Sequence, residues 1–81
     1  MDAGAVKQLL QNHLGDCEFH VQGEGSHYDI TAIGEVFEGL SPVKKQQLVY
    51  GALNECIADG SVHAGNIRTF TPAQWQARSA G

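Results

Sequence analysis

Apolar positions recur at two different periods along this chain, and the switches between them mark its elements. Val6, Leu9, Leu10 and His13 or Leu14 return at helical spacing, which predicts an amphipathic helix from Asp2 or Ala3 to His13. Asp2 serves as its N-cap and Gly15 as its stop. From Cys17 to Gln22 the period drops to two, with Cys17, Phe19 and Val21 on one side and Glu18, His20 and Gln22 on the other, as in a half-buried strand. Gly23 to Ser26 reads as a turn. A second strand, His27 to Ile33, sets Tyr28, Ile30 and Ala32 against His27, Asp29, Thr31 and Ile33, so the two strands form a hairpin. With Glu24 and Gly25 as the central turn residues, Gln22 faces His27, Val21 faces Tyr28, and His20 and His27 are diagonal neighbours on the polar face.

A glycine-bracketed loop from Gly34 to Leu40 leaves the sheet, with Val36, Phe37 and Leu40 as its anchors to the core. Ser41 as N-cap and Pro42 at the first helical position start a long helix that continues to about Ala58. Its buried stripe is Val49, Ala52, Leu53, Cys56 and Ile57. Gly51 inside it costs about 1 kcal/mol relative to alanine, which points to close packing or a local break there. Asp59-Gly60 closes the helix with a left-handed residue, and Ser61 to Phe70 follows as a third strand of imperfect alternation. A strand, a helical crossover and another strand predict a right-handed connection and a parallel pair. Thr71-Pro72-Ala73-Gln74 is a capping box that opens a short last helix carrying Trp75, and the tail from Ala77 to Gly81 is expected to fray. The order α-β-β-α-β-α predicts one α+β domain over 1–81, a three-stranded mixed sheet with helices on one face.

Eighty-one residues suffice for one compact core. Nine acidic against five basic residues leave a net charge of −4, which disfavours a naked polyanion as the main partner. There is no apolar run of the roughly 20 residues that span a bilayer, and no basic-then-apolar leader, so a cytoplasmic protein with no membrane partner is expected. Cys17 and Cys56 stand far apart and are expected as free thiols. Phosphate-binding, nucleophile-elbow and dinucleotide motifs are missing, as are paired carboxylates at helical spacing. The chain is not expected to be an enzyme.

The remaining candidates for chemistry are mostly histidines. His63 follows a helix C-terminus at the start of the third strand, a place suited to a ligand or a proton carrier, or to a plain capping histidine. His20 and His27 offer either a two-histidine metal face or a solvated polar one, and His13 reads as a partner of its own helix dipole. Cys17 and Cys56 fall on apolar stripes and suit structural roles. Lys44 and Lys45 occupy the first turn of the long helix, where the dipole disfavours cations; either the fold tolerates them or they meet an acidic partner or phosphate. With Arg68 they form the only internal basic patch.

The run GSHYDITAIGEVFEGLSPVKKQQLVYGAL, followed by SVHAGNIRTFTPAQW, closely resembles the BolA family, and KKQQLVYGAL with GEGSHY its IbaG-like branch. The resemblance spans nearly the whole chain and implies a fold similar to a class II KH domain. It further implies partnership with a cytosolic monothiol glutaredoxin and a role in iron-sulfur trafficking or iron sensing. The histidine of V-H-A, the family's cluster ligand, corresponds to His63. The second ligand in the family lies in the loop between the first two strands. There Glu24 stands about where some relatives carry cysteine, and His27 and His20 are the nearest imidazoles; Cys17 is a further candidate, and His27, at the loop's edge, is the expected second ligand. The implied cofactor is a [2Fe-2S] cluster shared with the glutaredoxin and glutathione, none being held by the isolated chain, which is expected as a monomer or weak homodimer. The expected docking residues are Lys44, Lys45, Val62, His63, Ala64 and Arg68. The KH-like fold and the family's association with transcriptional control imply an alternative, a nucleic-acid-binding transcriptional regulator linked to stress response, with weak binding, against which stand the net charge and the missing G-x-x-G loop.

Overall fold

Local capping chemistry sets most element boundaries in the computed structural model, which describes residues 2–24, 27–60 and 62–80, with side chains for all of these except those of residues 24, 55, 64, 79 and 80. Helix α1 runs Ala3–His13, and the Asp2 carboxylate accepts a hydrogen bond from the Ala5 amide at 2.8 Å. Its Val6 and Leu10 are fully buried. The stop differs from expectation. Leu14 caps the helix with its amide on the Leu10 carbonyl at 2.8 Å, and Gly15 adopts no left-handed conformation, because Leu14, half-buried, already turns the chain toward the core.

Strands β1 (Glu18–Glu24), β2 (His27–Ile33) and β3 (His63–Phe70) form one sheet in the order β1-β2-β3. The first pair is antiparallel and the second parallel, so the sheet is mixed as expected. Helix α2 (Pro42–Ala58) supplies the crossover, with the Lys44 amide donating to Ser41 Oγ at 3.3 Å. Phe19, Tyr28, Ile30 and Ala32 on one sheet face close on Val6 and Leu10 of α1 and on Val49 and Leu53 of α2. A short 3₁₀ turn, Glu35–Phe37, adds the buried Phe37. Val36 does not anchor the loop as expected, being 45% exposed, because the turn points Phe37 inward in its place.

The hairpin register is corrected by two residues. Glu24 lies opposite His27 and Val21 opposite Ile30, so β1 continues further than predicted; Gly25 and Ser26 of the expected turn lie outside the described residues. A slip of two preserves the faces, and the buried set is therefore the one the alternation predicted. Gly51 does not break α2; a Cβ there would lie 3.3 Å from His13 Nε2, so the glycine makes room for α1.

Helix α3 (Pro72–Ala80) starts at the predicted reciprocal box: the Thr71 amide donates to Gln74 Oε1 at 3.0 Å and the Gln74 amide to Thr71 Oγ1 at 3.2 Å. The helix extends to Ala80, within the stretch expected to fray, whose last residue, Gly81, lies outside the described residues. Arg78 packs in this stretch, its guanidinium carbon lying 5.1 Å from the Trp75 ring centroid and 5.4 Å from that of Phe70. While α1 and α2 cover one sheet face, Trp75 of α3 stacks on His20, whose side chain stands on the other face. Among the described residues no helix is long and apolar enough to cross a membrane.

Candidate functional site

His63 is placed by the way α2 ends. Gly60 takes a φ of +81°, a value open to glycine, and its amide bonds the Ile57 carbonyl at 3.2 Å. The Val62 amide returns to the Cys56 carbonyl at 3.2 Å, and the Val62 side chain is fully buried. The residue before His63 is thus anchored at both backbone and side chain, and the imidazole emerges exposed at the first position of β3.

Between β2 and β3 the register runs His27 to His63, Tyr28 to Ala64 and then Asp29 to Asn66, so Gly65 is an extra residue on β3. This bulge accounts for the imperfect alternation of the third strand. In strict alternation His63 would share a face with Ile67, which packs against the core. The extra residue inverts the phase, and His63, Asn66 and Arg68 all pair with residues of the open face. A Cβ on Gly65 would lie 3.2 Å from Asp29 Oδ1, and the same oxygen accepts a hydrogen bond from the side-chain Nδ2 of Asn66 at 3.3 Å, bridging the two strands beside the bulge.

His27 and His63 consequently stand side by side, ring centroids 5.4 Å apart and planes tilted by 31°, both exposed. Two neutral imidazoles so placed can supply two donors to one metal centre. Among the described residues no group of three His, Cys, Asp or Glu side chains could hold a metal ion, so this pair alone offers two donors at most. Two imidazoles on one iron with thiolates elsewhere would be the donor chemistry of a mixed-ligand [2Fe-2S] centre, and His27 and His63 are of the type its imidazole side would need.

The other imidazoles lie apart from this pair. His20 sits opposite Thr31, four positions along β2 from His27, or about 13 Å at the rise of a strand. It does not neighbour His27, because the two-residue register change carries it away. Its Nε2 lies 3.0 Å from Glu18 Oε2, and its ring stacks on Trp75 with centroids 5.5 Å apart. Cys17 is buried, and burial together with the neighbouring Asp16 charge pushes its thiol above the ordinary range, opposite to what a metal-ligating thiolate needs. Cys17 and Cys56 form no disulfide. The backbone of Glu24 pairs with His27, while its side chain lies outside the described ones.

The expected docking residues are dispersed. Lys44 lines a groove with Val36, Leu40, Gln47 and Leu48 at the start of α2. At about 1.5 Å per residue, that is roughly 20 Å along the helix from the end that delivers His63. Arg68 is exposed on the open face beside Thr31. Val62 offers no side chain to a partner, being wholly inside the core, and the Ala64 side chain is not among those described. The interlock of His20, Trp75 and Arg78 went unseen in the linear pattern. The only signal for it was the capping box that fixes where α3 begins.

The model of the BolA-like protein family matches residues 5–74. The chain belongs to the BolA family. The acid stress protein IbaG of Escherichia coli K12 is 49% identical over 75 residues, a span covering 93% of this chain and 89% of that one. Among solved structures, a BolA homologue from Coxiella burnetii superposes with a TM-score of 0.83 at 25% identity, covering 94% of this chain and 97% of that one. The solution structure of mouse BolA1 gives 0.74 at 33% identity, over 95% and 70% of the two chains. The BolA-like fold, with its mixed three-stranded sheet, is therefore established, and the V-H-A histidine of this BolA chain is the His63 that faces His27.

Proposed function

We propose that this BolA-family chain is a non-enzymatic, cytoplasmic partner of a monothiol glutaredoxin that helps hold a bridging [2Fe-2S] cluster and takes part in iron-sulfur trafficking or iron sensing. The observation that carries this reading is the exposed His27–His63 pair, two donors at the starts of β2 and β3 with no third beside them among the described residues. Such a half-site suits a cluster completed by a second protein's thiolates and by glutathione. An imidazole ligates only as the neutral base, so acid competes with metal for it, and a cluster held this way is transferable and acid-labile. That logic is compatible with the name of the E. coli relative, an acid stress protein.

Reconstitution with a monothiol glutaredoxin, followed by visible circular dichroism and cluster retention on a sizing column, tests the proposal. His63→Ala is expected to abolish the mixed-complex spectrum, and His27→Ala to alter it and shorten retention. If both variants keep the wild-type spectrum and retention, the reading fails; if only His63→Ala acts, His27 is not the second ligand.

A further inference from the structure

The open sheet face carries a second feature that the histidine pair does not use. A cavity of about 320 Å³ is bounded there by His20, Gln22, Thr31, Arg68, Trp75 and Arg78. That is at the small end of the range for ligand clefts. The chain carries a net charge of −4, yet both of its arginines meet at this cavity. Neither has a hydrogen-bond or ion-pair partner among the described residues. Arg78 is held over two aromatic rings, an arrangement that engages the face of a guanidinium and leaves its in-plane N–H donors available. The parallel register places Arg68 beside Thr31 on the same face.

The remaining lining sorts the ligand further. Asp29 also borders the cavity, its Oδ1 accepting from Asn66 Nδ2 rather than from either arginine. Its carboxylate would repel a second anionic group and accept hydrogen bonds from hydroxyls, as Gln22 and Thr31 can also do. Two guanidinium forks match one phosphate better than they match a diffuse charge. We propose that this cavity binds a small phosphorylated sugar, its phosphate on Arg68 and Arg78, its hydroxyls on Gln22, Asp29 and Thr31, and its ring against Trp75. A nucleic-acid strand would need cations continuing along a track, whereas Lys44 and Lys45 lie at the start of α2. The site is independent of the cluster reading, since the isolated protein is expected to bind without a partner.

The test is titration of the isotope-labelled full chain, followed by amide and Trp75 indole shifts, with ribose 5-phosphate, ribose, inorganic phosphate and a short single-stranded oligonucleotide as separate arms. Saturable shifts at Gln22, Thr31 and Trp75 are expected with ribose 5-phosphate, at a Kd of about 1 mM or tighter. Ribose should give none, and phosphate should bind roughly tenfold more weakly. Arg68→Gln is expected to weaken ribose 5-phosphate about tenfold with the unliganded spectrum otherwise preserved. Arg78→Lys, which keeps the charge and loses the fork, provides the second variant. The proposal is overturned by the absence of saturable shifts at about 10 mM ligand. Equal binding in Arg68→Gln, equal affinity for phosphate alone, or tighter binding of the oligonucleotide overturns it as well.

Discussion

At the scale of single residues, environment separates groups that the linear pattern left equivalent. Cys17 lies against Gly34 so closely that a Cβ there would come within 2.5 Å of its sulfur, and burial with the Asp16 charge raises its pKa. As pH climbs past about 8.5, the ordinary value for a thiol, the unfolded chain gives up the Cys17 proton before the folded one does. The unfolded state then binds fewer protons, so this contribution to stability is fully present at neutral pH and is lost as pH rises. Wild-type protein should therefore lose more stability between pH 7 and pH 10 than Cys17→Ala does, as read from urea midpoints. Equal losses would show that the folded thiol titrates normally. The same comparison bears on ligation, because a thiol kept protonated near neutrality is a poor competitor for metal against the exposed His27 and His63.

At the scale of elements, β3 decides what the open face presents. The extra residue at Gly65 lets Val62 point into the core while His63 points out beside His27. A β-branched side chain at Gly65 would push on Asp29 Oδ1, where even a Cβ stands at 3.2 Å, and would strain the Asn66–Asp29 bond. Gly65→Val is expected to lower stability by about 1–2 kcal/mol. It should also weaken the ring-to-ring nuclear Overhauser effects between His27 and His63. Loss of stability with the ring contacts intact would mean that the bulge supports the strand but not the pair. None of this could be read from periodicity, because a bulge declares itself only against the strand it pairs with. The sequence reveals an imperfect alternation from Ser61 to Phe70, and the cause is supplied by β2.

At the scale of the whole molecule, what was legible depends on range. Elements set by nearest neighbours were readable: Asp2, Ser41 and Thr71 cap the helices they precede, and the alternation in β1 and β2 names the buried face. His63 was legible as a candidate because Gly60 marks where the helix must end. Features set across the sheet were not: the hairpin register, the His27–His63 contact and the reach of α3 over the second face all depend on residues far apart in sequence. The same geometry governs nucleic-acid binding. A polyanion gains affinity from cations that touch successive phosphates, but here Lys44 and Lys45 begin α2 while Arg68 and Arg78 border the open face, and the whole carries a charge of −4. Binding to a duplex of about 20 base pairs should therefore be weaker than roughly 10 µM at about 0.15 M salt, and blind to sequence. Lys44→Glu/Lys45→Glu should change it little under those conditions. Fluorescence anisotropy across a salt series provides the measurement. Sequence-selective binding that persists as salt is raised and falls in the double variant would return the nucleic-acid reading to the α2 end of the molecule.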